Sequence, residues 1–305
     1  MPGMLIKFLK DTPGRLHTAM ALLAAALMVC SAARAQADHK LGQPRLPDRP
    51  VVVSARLYVL DCGTLIYNRP EDYGLSREEV ASSNMSVSCY LVVHPKGTLL
   101  FDTGLSDTLV GRPIFENPIY TYSQLKLNTL RGQLAEIGYR PDQIDYLALS
   151  HGHVDHIANV HDYLTATWLT PRAERDFMFT PAARKSFYFH QYAKLESAPT
   201  KIFEGDLDVF GDGSVILKST PGHTPGHQCL WVRLARTGGV LLSGDMYHYA
   251  EERSLARMPE HEKAGANARS RAAMEQFMRE TSSQLWIGHD IGLFQRLAKA
   301  PAWYD

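Results

Sequence analysis

The 305-residue sequence has little cysteine, no surplus of charge of either sign and only one sustained apolar run. Four cysteines are too few for a disulfide scaffold, and the absence of any C-x-x-C spacing removes a thiolate metal site. Thirty-two basic side chains against 32 acidic ones leave no basic excess, which argues against a dedicated nucleic-acid binder. The sequence contains no obvious repeat and no low-complexity tract, which argues against solenoids and propellers. At 45% hydrophobic residues the chain is too apolar to stay disordered. What is abundant is histidine, with 13 copies.

The apolar run, Ala19 to Val29, follows Lys7, Lys10 and Arg15 and leads into Ala33-Arg34-Ala35 or Ala35-Gln36-Ala37. A basic stretch, a short apolar segment and an A-x-A site together read as a secretory signal peptide over residues 1–35. The segment is too short to cross a bilayer comfortably, so no stable membrane span is expected after cleavage, and the protein is expected to be periplasmic or secreted. Loss of a leader with four basic and one acidic residue leaves 28 basic against 31 acidic side chains, a net charge of −3. Residues 36–50, polar and proline-spotted, read as a flexible leader before a folded domain over 51–305. Cys89 and Cys229 lie inside apolar strand-like runs, where buried free thiols are expected and no dependence on disulfides follows.

Eight short runs rich in Val, Leu and Ile read as strands: 51–60, 87–93, 97–102, 144–150, 214–219, 229–234, 238–245 and 284–289. Helical spacing interleaves at 124–138, 171–179 and 266–281. The alternation predicts one α/β domain with its strands in two groups.

Polar chemistry gathers where strands end. His151-Gly152-His153-Val154-Asp155-His156 follows the run 144–150, and three imidazoles and a carboxylate this close are costly unless a cation binds them. Neutral imidazole and carboxylate suit zinc and other borderline divalent ions. A second cluster, Pro221-Gly222-His223-Thr224-Pro225-Gly226-His227, offers His223 as a ligand, with His227 read as a strand-edge or supporting group. Asp245, after Ser243-Gly244, can bridge two cations, and His289 before Asp290 adds a further imidazole. Together His151, His153, Asp155, His156, His223, Asp245 and His289 suffice for two metal ions with positions left for water and substrate. Asp102 reads as a carboxylate holding a ligand histidine, while His94, His161, His190 and His261 read as surface groups.

H-x-H-x-D-H, then P-G-H-T-P-G-H, then G-D, then G-H-D, in this order, resembles the metallo-β-lactamase superfamily. Within it the sequence is most similar to the N-acyl-homoserine lactonases, through residues 89–107, 204–245 and the segment from Trp286 to Asp305. The resemblance implies an αβ/βα sandwich of two mixed sheets flanked by helices, and a hydrolase domain over 51–305. It implies two Zn2+, one on His151, His153 and His223, the other on Asp155, His156 and His289, bridged by Asp245. The implied reaction is hydrolytic opening of a small-molecule acyl lactone by a hydroxide between the ions, with Asp155 carrying the proton to the leaving oxygen. The lactonases carry a tyrosine three residues after the bridging aspartate. His248 stands there, flanked by Tyr247 and Tyr249, so His248 or Tyr247 is expected to contact substrate. A phosphotriesterase-like hydrolase, a β-lactamase and a non-catalytic acyl-lactone binding protein remain alternatives. Loops 62–86 and 105–130 would line an acyl-chain pocket or join a homodimer interface.

Overall fold

Residues 56–60 alternate strictly: Leu57 and Val59 belong to one buried cluster, Tyr58 and Leu60 to another. A strand apolar on both faces must lie between two packing layers, and the computed structural model places it so. The structure describes residues 52–66, 68–116, 122–262 and 265–305, without the side chain of His261; the expected signal peptide (1–35) and leader (36–50) lie outside the described residues.

The first sheet contains β1 (Arg56–Ile66), β2 (Met85–His94), β3 (Gly97–Phe101), β4 (Phe115–Glu116), β5 (Ser123–Leu125), β6 (Tyr146–Ala148), β7 (Thr167–Pro171) and β8 (Thr200–Phe203). Their order is β4-β5-β1-β2-β3-β6-β7-β8. Pairing is antiparallel as far as β3 and parallel from β3 to β8. The second sheet is β9 (Leu207–Asp208), β10 (Val215–Ser219), β11 (Gln228–Leu234), β12 (Gly238–Leu242) and β13 (Gln284–Trp286), in the order β13-β12-β11-β10-β9. Only the β12–β13 pair is parallel, so both sheets are mixed, as expected. The helices are α1 (Leu130–Glu136), α2 (Val154–Ile157), α3 (Arg172–Met178), α4 (Phe189–Tyr192), α5 (Ala250–Ser254), α6 (Ala266–Thr281) and α7 (Ile291–Arg296).

Three apolar layers result. Leu57, Val59, Tyr90, Val92, Leu99 and Phe101 of the first sheet meet Leu217, Leu230, Val232, Val240 and Leu242 of the second. The outer face of the first sheet packs Leu60, Leu91, Leu100 and Trp168 beneath Leu130 and Leu134 of α1. The outer face of the second packs Trp231 and Leu241 against Met274 and Met278 of α6. Each fully buried side chain of this size contributes about 1.5–3 kcal/mol. All eight expected strands are present; the ones not expected are β4, β5, β7, β8 and β9, whose runs are too short or too polar to stand out. The helix expected over 124–138 is shorter: Ser123–Leu125 is drawn into the first sheet beside β1, and α1 begins after the Thr129 side chain accepts from Gly132 N.

The expectation of free thiols at both Cys89 and Cys229 is half corrected. Cys62 and Cys89 form a disulfide with Cα atoms 5.8 Å apart, and only Cys229 is a buried free thiol. In the β1–β2 register Cys89 faces Leu60, and an irregularity between Asp61 and Thr64 brings Cys62 beside it. That register depends on strand pairing and is invisible in the local pattern.

Candidate metal centre

The predicted ligands lie just beyond β6, β10, β12 and β13, Asp155 and His156 on the short helix α2, and those segments meet at one end of the two sheets. His151, His153, His223 and Asp245 form one cluster and Asp155, His156 and His289 a second; within each, the candidate donor atoms all lie within 4.8 Å of one another. All seven residues are thus brought together. Asp245 stands between them. Its Oδ2 lies 3.6 Å from His151 Nε2 and 3.3 Å from His223 Nε2, while its Oδ1 lies 3.1 Å from His156 Nε2 and 3.2 Å from His289 Nε2. Asp155 Oδ2 approaches the same two nitrogens at 3.4 and 3.5 Å.

Four of the five imidazoles have Nδ1 occupied, which leaves Nε2 to face the centre. His156 Nδ1 donates to Asp102 Oδ2 at 2.9 Å, the role expected of Asp102. Ser150 Oγ donates to the same oxygen at 2.9 Å and lies 3.0 Å from His151 Nδ1. His289 Nδ1 donates to the Ser86 carbonyl at 2.7 Å, and His223 Nδ1 lies 3.2 Å from Glu262 Oε1. His153 turns its Nδ1 inward, 3.0 Å from His223 Nε2. Asp102 holds a left-handed φ of 63°, which costs a residue of this type about 1–3 kcal/mol. Ser150 N–H donates to its Oδ1 at 2.6 Å and helps hold it there.

The donor set fits a pair of divalent cations. His151 Nε2, His156 Nε2 and Asp245 Oδ1 are buried without a hydrogen-bond partner, an arrangement that is expensive for polar atoms unless a cation satisfies them. Burial pushes His151 and His153 well down from the usual imidazole range, His153 to about 3, which favours the neutral ligand form. Burial works against the Asp245 carboxylate, but His289, His156 and His151 outweigh it and hold Asp245 well below the ordinary range.

His227 is committed elsewhere: its Nε2 accepts from Asp245 N at 3.0 Å, and its Nδ1 lies 3.1 Å from the Thr220 carbonyl. It therefore supports the bridge, as expected. A Cβ on Gly244, at φ 49°, would stand 2.7 Å from both His227 Nε2 and Ser150 Cβ, so this turn requires glycine.

Of the two residues expected to contact substrate, the structure brings in one. His248 lines the cavity beside the two clusters, its Nε2 3.5 Å from Asp245 Oδ2 and its ring 4.4 Å from that of Tyr73. Burial opposes its charge, but hydrogen bonding to Asp245 and Glu252 prevails and raises its pKa to about 10. Tyr247 is corrected. Extended backbone turns it the opposite way, into the layer against α6, where it lies under Arg271 and donates to Glu275 Oε1 at 3.2 Å. His161 and His190 are exposed as expected, but His94 is not: it is buried, stacked on Phe210 at 4.2 Å.

Three buried carboxylates carried no signal in the sequence. Glu262 backs His223, Glu252 accepts from the His248 and Tyr249 N–H groups, and Glu174 bonds the two histidine loops from behind. Each sits in a charged stretch that reads as solvated surface.

The metal cluster opens into a cavity of about 250 Å³, walled in part by Leu65, Tyr73 and Tyr122. A larger groove of about 860 Å³ runs along Leu105, Leu109, Ile114, Phe115 and Phe187. Val154 lines the groove while its neighbours His153 and Asp155 line the cavity, so the two share a wall.

An N-acyl homoserine lactonase, AttM, of Azorhizobium caulinodans is 25% identical over 260 residues, covering 82% of this chain and 98% of the relative. A solved N-acyl homoserine lactone hydrolase, with N-hexanoyl-L-homoserine bound at its catalytic metal centre, superposes with a TM-score of 0.66 at 22% identity, over 83% of this chain and all of that one. A dizinc quorum-quenching lactonase, AidC, in complex with a product, superposes with a TM-score of 0.58 at 15% identity, over 82% and 94%. The sequence profile of the metallo-beta-lactamase superfamily matches residues 83–279, and with its ordered histidine motifs gathered between two mixed sheets, the chain belongs to that superfamily.

Proposed function

We propose that the protein hydrolyses N-acyl-homoserine lactones, using two zinc ions held by His151, His153 and His223 on one side and Asp155, His156 and His289 on the other, with Asp245 between. The observation that carries this reading is the pair of clusters on opposite oxygens of Asp245, in a chain whose full-length relative is a lactonase of that class. Divalent ions in such a site supply a water activated near neutral pH and Lewis acidity for a carbonyl.

The chain's own groups do the rest. His248, held beside Asp245 and Glu252, donates a hydrogen bond to the substrate. Asp155, a carboxylate at rest, takes one proton from the attacking water and passes it to the lactone ring oxygen. Overall, water adds to the carbonyl carbon, the bond from that carbon to the ring oxygen breaks, one proton of the water makes the ring oxygen a hydroxyl, and the acyl carbon becomes a carboxylate as the second proton leaves to solvent. The groove beyond Val154 takes the acyl chain along Leu105, Leu109, Ile114, Phe115 and Phe187, beside Arg112, Glu116 and Lys194, which is the chain-pocket reading of residues 105–130. A disulfide between strands persists in oxidising compartments, which supports a periplasmic or secreted location. No helix among the described residues is long and apolar enough to cross a membrane.

The test offers zinc-loaded protein an acyl-homoserine lactone, a penicillin and a phosphotriester, with products followed by mass spectrometry. Ring-opened N-acyl-homoserine as the dominant product, abolished by chelation, is expected. Faster turnover of the penicillin or phosphotriester, or activity that survives complete chelation, would overturn the proposal.

A further inference from the structure

Glu174, on α3, is 1% exposed. A buried carboxylate without a cation is costly unless its oxygens are filled by donors. Three donors fill them: Gly152 N–H to Oε1 at 2.8 Å, and Thr224 Oγ–H at 2.6 Å and Gly226 N–H at 3.0 Å to Oε2. Gly152 separates His151 from His153, and Thr224 follows His223. The two loops come from different sheets, β6 of the first and β10 of the second. At their bases Gln228 already ties them, through its N–H to the Ser150 carbonyl and its side chain to the Leu149 carbonyl. Nearer the ligands the tie is Glu174, and the approach is so close that a Cβ on Gly226 would stand 2.2 Å from Glu174 N.

We propose that Glu174 is a positioning residue that sets the distance between His151–His153 and His223, and thereby chiefly the metal affinity of that cluster. The inference rests on the reading that the two clusters hold metal ions. The other cluster has anchors of its own: His156 is held by Asp102 and by Thr103, whose N–H donates to the His156 carbonyl at 2.7 Å, and His289 by Ser86, although Asp245, Ser150 and the His156 N–H to the His153 carbonyl link the two. Glu174 touches none of these groups. Its effect therefore falls more on the first cluster than on the second, which a general contribution to folding would not do.

The experiment titrates metal-free protein with Zn2+ in competition with a chromogenic chelator, and records the visible spectrum of the Co2+-loaded form. Wild type is expected to show two binding steps, assigned by His223→Ala and His289→Ala. Glu174→Gln keeps the shape but turns an amide N–H toward one of the three donors. It is expected to raise the dissociation constant of the His223-dependent ion by about 10–100-fold and that of the His289-dependent ion by less. Thr224→Val removes a single donor and is expected to weaken the same ion by about fivefold, which keeps the test available where Glu174→Gln does not fold. Equal weakening of both ions together with a lower Tm of the metal-free protein, or no weakening of either, overturns the positioning role. A wild-type protein that takes up no second ion overturns the two-ion reading instead, a result distinct from either.

Discussion

Replacing Cys62 and Cys89 together by alanine opens a cross-link that closes a loop of sequence separation 27 in the first sheet. In the chain-entropy treatment, a loop of that size restricts the unfolded chain by about 12 cal/mol/K, which is about 3.5 kcal/mol at 25 °C. Both sulfurs lie in the apolar layer with Leu60, Leu91 and Leu105, so their removal adds a packing loss of the same sign. For a domain of this size about 3.5 kcal/mol lowers Tm by about 7–14 °C. The assay is thermal and urea unfolding of wild type and double variant, each produced through an oxidising compartment. Thiol alkylation of the unfolded, unreduced protein accompanies it, with mass-spectrometric assignment of the modified cysteines. Cys229 is expected to be alkylated and the Cys62–Cys89 pair protected. Alkylation of Cys62 and Cys89, or a Tm within about 2 °C of wild type, would refute the reasoning.

Four further outcomes are expected. Asp155→Asn should lower kcat for lactone opening by about 10²–10⁴-fold, measured by proton release under saturating zinc; a kcat within tenfold of wild type removes Asp155 from proton transfer. His248→Ala should reduce kcat/KM, while Tyr247→Phe, altered on the α6 side, should leave it within about twofold; the reverse pattern contradicts the placement of the two rings. Gly244→Ala should destabilise the fold by about 1–3 kcal/mol and loosen metal, because the added methyl meets His227 and Ser150; urea unfolding and metal analysis would show both. Val154→Trp, at the wall between cavity and groove, should depress kcat/KM for long-chain lactones more than for short ones, and an equal effect on both argues against the groove as the chain site.

Both levels of the molecule contribute to the site in recognisable ways. His151, His153, Asp155 and His156 are spaced so that any turn after β6 delivers them together, and the eight apolar runs became strands because period-2 burial is a local property of the chain. Asp102 was legible for the same reason, as a carboxylate at the end of a strand. Glu174, Glu252 and Glu262 were not, because a glutamate in a charged helical stretch looks the same whether it faces water or the back of a histidine loop. His94 misled in the same way: beside Pro95 and Lys96 it reads as surface, yet Phe210, more than 100 residues onward, covers it.

The inventory of ligands, their order, the strand pattern and the superfamily are thus written in local spacing, since imidazoles and carboxylates crowded at a strand end have few uses apart from a cation. Tertiary packing alone settles which cysteines meet, which of Tyr247 and His248 faces the cavity, and which buried carboxylates brace each cluster. Those depend on strand register and on the approach of loops from two sheets, where residues 27 to about 50 positions apart come within bonding distance. No periodicity along the chain encodes such distances; they follow from the close packing of the layers that bury it.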